Sequence, residues 1–151
     1  MKNLVVVLDN IRSRENVGSI FRTADAVGVS TIYLCGITPT PPHEKISKTA
    51  LGAETLVPWE YHKQTWRLIK KLKERGYQIA ALEKTKSAEN IFNFKPKFPL
   101  ALVLGNEVEG LSFQTLKYCD KTIAIPMYGQ KESLNVAVAF GVAAYTILDK
   151  G

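Results

Sequence analysis

The chain has few of the residues on which disulfide scaffolds and metalloenzymes depend. Of its 151 residues, two are cysteine and two are histidine. Cys35 and Cys119 form no C-x-x-C pair and lie in or beside apolar stretches, which predicts reduced thiols and excludes a disulfide framework. His43 and His62 are far apart and lack metal-ligand spacing, so we expect no metal site.

Several common catalytic and targeting patterns are also absent. There is no G-x-G-x-x-G fingerprint, and Gly110 is not directly followed by a lysine and then a serine or threonine, which argues against dinucleotide and phosphate loops. No Ser-His-Asp set is apparent, and Glu107 and Glu109 lie too close together to act as paired glycosidase carboxylates. The apolar run 4–8 is too short for a signal peptide or a membrane span. We therefore expect a cytoplasmic protein with no membrane segment.

The composition that is present suits one globular domain with an anionic partner. Apolar residues make up 46% of the chain, enough for a core in a domain of this length. Lys and Arg number 20 and Asp and Glu number 14, a net charge of +6. A moderate positive charge favours a partner such as nucleic acid.

Strand-like and helix-like segments alternate along the chain. Periodicity predicts strands at 4–8, 31–35, 55–57, 77–82, 100–104 and 122–125. It predicts helices at 16–27, 44–51, 62–75, 112–118 and 134–148. Residues 84–99 are predicted to be a connecting loop. This order predicts an α/β fold, with a mostly parallel sheet and helices on both faces.

The last predicted helix, 134–148, is apolar nearly all round. Only Asn135 and Thr146 interrupt it, so it needs cover on more than one side. Each large apolar side chain left exposed would forfeit roughly 1.5–3 kcal/mol. We therefore predict a homodimer with this helix in or near the interface.

Ligands of open α/β sheets bind beyond the carboxyl ends of the strands, and three segments place polar residues there. The first segment follows the first strand. In it Asn16 is a candidate helix cap, while Arg22 either faces a site or pairs with Asp25 on the surface. Arg12 and Arg14 precede them in the loop and suit phosphate contacts or plain solubility.

The second and third segments add glycines, acids and a helix start. Residues 104–111 combine two glycines, which let a backbone approach a ligand, with acids that suit ribose hydroxyls or a cationic ligand. Residues 125–137 form a strand end, a turn and a helix beginning near Ser133. The free N–H groups of that helix start can hold a ligand, although Ser133 and Asn135 also suit plain caps.

In this order, the three segments resemble the motifs of the SpoU (TrmH-like) branch of the SPOUT RNA methyltransferases. The motifs are Asn16-x-Gly18-x-x-x-Arg22-Thr23, then Leu104-Gly105-Asn106-Glu107 with Gly110, then Ile125-Pro126-Met127 with Ser133-Leu134-Asn135-Val136. The likeness spans nearly the whole chain. It implies an α/β-knot fold, in which the C-terminal part threads a deep trefoil knot. It also implies S-adenosylmethionine as cofactor and an active site at a dimer interface.

The resemblance implies methyl transfer to a ribose 2′-hydroxyl of tRNA or rRNA. The implied catalytic residues are Asn16, Arg22, Glu107, Ser133 and Asn135. The implied cofactor-binding residues are Leu104, Gly105, Asn106, Gly110, Ile125, Pro126, Met127, Ser133, Leu134 and Asn135. Because arginine stays protonated in proteins, we expect Arg22 to stabilise a developing alkoxide or a neighbouring phosphate rather than act as a base.

Many members of this branch carry an added RNA-binding domain. Here we expect a single domain over residues 1–151 with no separate RNA-binding extension. The candidates for RNA contact are then Arg12, Arg14, Lys45 and Lys48. The basic helix 62–75 is a further candidate, for which we prefer a merely solvated face. Two alternatives stay open, a catalytically inactive knotted RNA-binding or assembly factor and a SPOUT base methyltransferase.

Overall fold

The computed structural model describes residues 2–150, which form seven parallel strands and five α-helices. The strands are β1 Leu4–Asp9, β2 Thr31–Cys35, β3 Trp59–His62, β4 Gln78–Leu82, β5 Glu89–Asn90, β6 Leu100–Leu104 and β7 Lys121–Ala124. The α-helices are α1 Arg14–Val27, α2 Glu44–Ala50, α3 Thr65–Glu74, α4 Phe113–Lys117 and α5 Val136–Lys150. Two short 3-10 helices are Ala53–Thr55 and Ile91–Asn93. The strands lie in the order β3-β2-β1-β6-β4-β7-β5, which confirms the predicted α/β class and parallel sheet.

The sheet has an apolar core on each face because successive residues of a strand point to opposite sides. In β1, Leu4, Val6 and Leu8 pack with residues of α1, α2 and α5. Val5 and Val7 of the same strand pack with residues of α3 on the other face. Every residue of β1 is buried, which explains its continuous apolar sequence.

The start of α1 differs from the prediction in a way that affects the site. Ser13, in an extended conformation, accepts a hydrogen bond from the backbone N–H of Asn16 at 3.1 Å and is the N-cap. Asn16, predicted as the cap, therefore lies inside the first helical turn, and its side-chain amide is free to reach other segments. The helix ends as predicted at Gly28, whose φ of 80° is left-handed.

Gly18 allows α1 and α2 to approach each other closely. A Cβ at this position would lie 2.0 Å from Thr49 Oγ1 and 2.3 Å from the carbonyl oxygen of Ile46. The Thr49 hydroxyl also donates to the carbonyl of Glu15 at 2.9 Å. Only glycine therefore fits here, and this close contact holds α2 against α1.

Two predictions in the middle of the chain are wrong. Residues 55–57 are not a strand, because the chain turns at Gly52, with a φ of 94°, into a 3-10 helix. The strand is instead β3, an edge strand of mixed polarity that begins at Trp59. This strand includes His62, so α3 begins at Thr65 rather than at His62.

Residues 84–99 are more ordered than predicted. They contain the two-residue strand β5, paired in parallel with β7, and the 3-10 helix Ile91–Asn93. Ile91 and Phe94 are buried in the core that also contains α5. These two side chains explain why the segment folds back onto the domain.

The final helix begins at Val136 rather than near Ser133. The side-chain oxygen of Asn135 accepts hydrogen bonds from the N–H groups of Ala137 at 2.9 Å and Val138 at 3.2 Å, as an N-cap does. Ser133 and Leu134 thus lie in the loop before the helix, not in its first turn.

Both cysteines are free thiols, as predicted. Burial raises the pKa of Cys35 and of Cys119 to about 12, so neither is a reactive thiolate near neutral pH. Among residues 2–150, no helix is both long and apolar enough to cross a membrane.

Candidate active site

A cleft of about 640 Å³ lies at the carboxyl edge of the sheet, where β4, β6 and β7 end. Its size is within the range of about 300–1,000 Å³ that is usual for small-molecule sites. The sheet order explains the location. Because β6 is inserted between β1 and β4, the connections change direction here, as they do at ligand sites of open α/β sheets. The lining residues are Asn16, Leu82, Glu83, Lys84, Leu104, Gly105, Asn106, Glu107, Val108, Glu109, Gly110, Ala124, Ile125, Met127, Glu132, Ser133, Leu134, Asn135, Val136 and Ala139.

Glu107 joins the loop after β6 to the start of α1. Its carboxylate accepts hydrogen bonds from the backbone N–H of Arg12 at 3.2 Å and of Ser13 at 3.3 Å. The side-chain amide of Asn16 also donates to it, over a long 3.5 Å. The carboxylate thus satisfies two backbone N–H groups directly before α1, a position where the helix dipole favours a negative charge.

Asn16 and Asn135 continue this connection into the last helix. The amide nitrogen of Asn135 donates to the side-chain oxygen of Asn16 at 3.1 Å. Glu107, Asn16 and Asn135 therefore form one hydrogen-bonded row, with the cap of α5 at its end. The row links three segments that are up to 119 residues apart in sequence.

Asn106 shapes the loop rather than pointing a free group at a ligand. Its amide nitrogen donates to the carbonyl of Asn10 at 2.8 Å. Its side-chain oxygen accepts from the N–H groups of Val108 at 2.8 Å and Glu109 at 2.9 Å. All polar atoms of this side chain thus serve the loop, so we assign Asn106 a positioning role.

Glu83 is a cleft residue that the sequence reasoning missed. It directly follows β4, and its carboxylate accepts a hydrogen bond from the N–H of Leu111 at 2.6 Å. Gly110, with a φ of 69°, packs on this carboxylate, which a Cβ would approach to 2.6 Å. Gly105 is equally confined, since its Cβ would lie 2.7 Å from the Leu111 nitrogen. The available signal was an acid placed directly after a buried strand.

The predicted site residues fall into those that line the cleft and those that do not. All predicted cofactor residues except Pro126 line it. Among the predicted catalytic residues Asn16, Glu107, Ser133 and Asn135 line it, whereas Arg22 does not. Further lining residues that were not predicted include Leu82, Glu83, Lys84, Val136 and Ala139.

Arg22 is exposed on α1, six residues after Asn16 and so about 9 Å further along the helix axis. The predicted alternative, a surface pair with Asp25, is absent from the part of the chain that the structure describes. The ion pairs found there are His62–Glu60 and Lys73–Asp120. The guanidinium of Arg22 thus stands outside the cleft of its own chain.

The four basic residues predicted to contact RNA are all exposed. Arg12 lies in the loop before α1 and Arg14 is the first residue of that helix. Lys45 and Lys48 lie on α2, which packs against α1 at Gly18. The two arginines and the two lysines therefore lie on neighbouring elements, at the start of α1 and on α2.

The charge of the cleft is opposite to that of the whole chain. Its lining includes four carboxylates and one ammonium group, those of Glu83, Glu107, Glu109, Glu132 and Lys84. The rest of the wall is largely apolar side chains and backbone. Such a cleft favours a ligand with an apolar part and a positive charge.

The pKa of Glu107 predicts how acid affects the loop. Partial burial acts to raise this pKa, but hydrogen bonds from the backbone of Glu107, Arg12 and Ser13 and from Asn16 outweigh it and hold it below the ordinary value. A lowered carboxyl pKa stabilises the fold at pH values above about 4.3, the ordinary pKa of glutamate. This stabilisation is lost as the pH falls through the lowered pKa of the folded state.

We therefore expect Glu107→Gln to lower the Tm by a few degrees at pH 7 and to have little effect in strong acid. The amide has a single acceptor oxygen and cannot replace both carboxylate oxygens. Thermal unfolding followed by circular dichroism at pH 7, 5 and 3 measures the difference. Glu109→Gln makes the same charge change in the same loop and is the control. An equal Tm change at all three pH values would contradict a coupling between the ionisation of Glu107 and the stability of the fold.

Comparison with known proteins identifies the family. The model of the SpoU rRNA methylase family matches residues 3–145. The chain is 36% identical to a tRNA (guanosine(18)-2′-O)-methyltransferase of Aquifex aeolicus, over 95% of this chain and 68% of that protein. It is 34% identical to a 23S rRNA (guanosine-2′-O-)-methyltransferase of Vibrio parahaemolyticus, over 94% of this chain and 57% of that protein.

A solved structure agrees with these relatives. The AdoMet-bound rRNA methyltransferase from Sinorhizobium meliloti superposes with a TM-score of 0.92 at 27% identity, covering 99% of this chain and 57% of that one. The chain thus spans little more than half the length of several proteins that it matches. Because the family model covers nearly all of the chain, this protein belongs to the SpoU rRNA methylase family.

Proposed function

We propose that this chain is an S-adenosylmethionine-dependent methyltransferase that acts on a ribose 2′-hydroxyl of tRNA or rRNA. The observation that carries the proposal is the row of hydrogen bonds from Glu107 through Asn16 to Asn135, which joins the three family motifs beside one cleft. The named activities of the Aquifex and Vibrio relatives support ribose rather than base as the target.

The residues of the cleft fit S-adenosylmethionine. Leu82, Leu104, Ile125 and Leu134 offer apolar surface for an adenine ring, and the strand ends offer backbone donors and acceptors. The acidic lining suits the sulfonium and the ammonium group of the cofactor. When bound, the cofactor supplies a methyl group that is already activated on sulfur.

The chain itself must hold the ribose and balance the charge that develops on its oxygen. Alignment of the reacting groups can supply several kcal/mol of the barrier reduction. Asn16 and Asn135 are fixed by their mutual hydrogen bond and can orient a sugar at the cleft. Arg22 carries a permanent positive charge, which would stabilise the developing alkoxide or an adjacent phosphate.

The exposed position of Arg22 favours a site shared between two copies of the chain. Along α5, Val138, Val142 and Tyr145 recur at helical spacing and are 53%, 37% and 57% exposed. We propose that this apolar stripe packs against a second copy in a homodimer. In that arrangement Arg22 of one protomer would serve the cleft of its partner.

The trefoil knot and the cytoplasmic location belong to the same proposal. The strand β7 lies between β4 and β5, which precede it in sequence. After β7, helix α5 reaches the segment that follows β5, where Lys150 donates to the carbonyl of Phe92. Both placements support a terminal segment threaded through residues 83–99. RNA as substrate supports a cytoplasmic protein.

Two measurements on the full chain test the proposed activity. Isothermal titration calorimetry with S-adenosylmethionine should show binding, and incubation with labelled cofactor should transfer methyl groups into total tRNA or rRNA. A 2′-O-methyl group blocks attack of the 2′-oxygen on the next phosphate, so the label should appear in alkali-resistant dinucleotides. Mass spectrometry of nucleosides then identifies the methylated residue.

The outcomes separate the proposal from its two alternatives. Cofactor binding without transfer to any RNA would favour an inactive RNA-binding or assembly factor. If alkali instead releases the label in mononucleotides that carry a methylated base, a base methyltransferase is favoured. Either result would refute ribose methylation by this chain.

A further inference from the structure

Most of the net positive charge of this protein lies in one short segment. Residues 63–75 contain a single acid, Glu74, and six basic residues, Lys63, Arg67, Lys70, Lys71, Lys73 and Arg75. Their net charge is +5, against +6 for the whole chain, so all other residues together contribute only +1. Such a concentration gives one part of the surface a strong attraction for polyanions.

The helix α3, which carries four of these six basic residues, has two distinct faces. Leu68, Ile69 and Leu72 are buried against the sheet. Arg67 and Lys70 are exposed on the other side. Since α3 is anchored by its apolar face, its basic side chains are held in a fixed array rather than on a mobile tail.

An aromatic pair lies within this array. The rings of Trp66 and Tyr118 stack with centroids 5.8 Å apart and planes inclined by 20°. The guanidinium carbon of Arg67 lies 5.2 Å from the Trp66 ring centroid, and Lys117 Nζ lies 5.9 Å from that of Tyr118. Trp66 and Tyr118 are both half-buried residues. Aromatic faces flanked by cations are the combination that binds unpaired nucleic-acid bases and their phosphates.

The array begins at the same edge of the sheet as the cleft. The hydroxyl of Thr65, the first residue of α3, donates to the buried carboxylate of Asp9 at the carboxyl end of β1. Strand β1 is paired with β6, whose end forms the cleft, and paired strands lie about 4.8 Å apart. The opposite face of the sheet carries α5, so a dimer formed through α5 would leave α3 uncovered.

We propose that Trp66, Arg67, Lys70, Lys117 and Tyr118, here called the α3–α4 surface, bind the RNA substrate outside the cleft. The cations contact phosphates next to the methylated ribose, and the aromatic pair accepts an unpaired base. This inference rests on the proposed RNA methyltransferase function. It differs from the expectation that this helix is only a solvated face, and it adds a contact on the side of the sheet opposite to α1 and α2.

The test uses the full-length triple variant Arg67→Gln/Lys70→Gln/Lys117→Gln, which leaves the Lys73–Asp120 ion pair in place. Fluorescence anisotropy with a labelled tRNA transcript, at several KCl concentrations, should show an affinity at least about tenfold lower than wild type. The slope of log K against log[salt] should become less steep by about two, since each phosphate contact contributes roughly 0.7. Affinity for S-adenosylmethionine should not change.

The matched control is Lys95→Gln/Lys97→Gln/Lys121→Gln, which removes three exposed positive charges elsewhere on the chain. It should retain nearly wild-type affinity and slope. A direct readout of stacking comes from a Trp59→Phe background, in which Trp66 is the remaining tryptophan and its emission should be quenched by RNA. Equal losses in the two triple variants, or no binding of RNA by the wild type, would overturn the proposal.

Three further outcomes are separable. If the wild type binds vesicles containing phosphatidylserine as tightly as RNA, and the triple variant loses both, the surface attracts anions in general and the RNA assignment is wrong. If the wild type transfers no methyl group but the triple variant still loses RNA affinity, the proposed function fails while the α3–α4 surface stands. If the wild type transfers methyl groups and the triple variant keeps the wild-type affinity for RNA, the α3–α4 surface is refuted and the proposed function stands.

Discussion

Replacing Arg22 by alanine should reduce methyl transfer about 10²–10³-fold, the usual effect of removing one group that stabilises transition-state charge. The Kd for S-adenosylmethionine should stay at its wild-type value, because Arg22 does not line the cleft. Helix stability should not suffer, since the residue is exposed and alanine is the best helix former. Single-turnover methyl transfer and calorimetry measure the two effects separately.

The matched control for this variant is Asp25→Ala, an exposed position one turn further along the same helix. It should turn over as wild type does. Retained turnover by Arg22→Ala would remove the residue from the catalytic machinery. A parallel loss of cofactor affinity would instead indicate a structural role.

Mixed dimers decide whether Arg22 acts on its own cleft or on that of its partner. If it acts across the interface, a dimer of one Arg22→Ala chain and one Asn135→Ser chain contains one intact site. Random exchange of the two inactive proteins should then restore about one quarter of wild-type activity, because half of the dimers are mixed. No recovery would place Arg22 and its cleft in the same chain.

The fold was predictable where burial alone determines the local pattern. The strands β1, β2 and β6 lie in the sheet interior, and their continuous apolar sequences predicted them almost to the residue. The edge strand β3 was missed because Trp59–His62 has only four residues, too few for its aromatic and polar alternation to stand out, and none of them is buried. Strand β5, with two residues, is too short to have a period at all.

The site was predictable as a set of motifs but not as an arrangement. Helical periodicity placed Asn16 and Arg22 on one helix, yet which of them reaches the cleft depends on the cap at Ser13 and on the packing of α1 beside α5. Glu83 was missed because its role arises from the pairing of β4 with β6, which brings it beside Gly110. Such long-range register has no local signal in a single sequence.

The second large effect is expected at Asn135, which both caps α5 and holds Asn16. Asn135→Ala should lower the free energy of unfolding by about 0.5–2 kcal/mol through loss of the cap. It should also reduce methyl transfer about 10²-fold, because Asn16 is released and small displacements of orienting groups are costly. Denaturant unfolding and single-turnover kinetics give the two numbers.

Asn135→Ser separates these two roles. Serine is as good an N-cap as asparagine, so stability should return to nearly the wild-type value. Its hydroxyl is too short to span the 3.1 Å hydrogen bond that the longer amide makes to Asn16, so methyl transfer should stay as low as in the alanine variant. If serine restores turnover together with stability, Asn135 acts only by starting the helix. If turnover stays low at full stability, the contact with Asn16 is what the reaction requires.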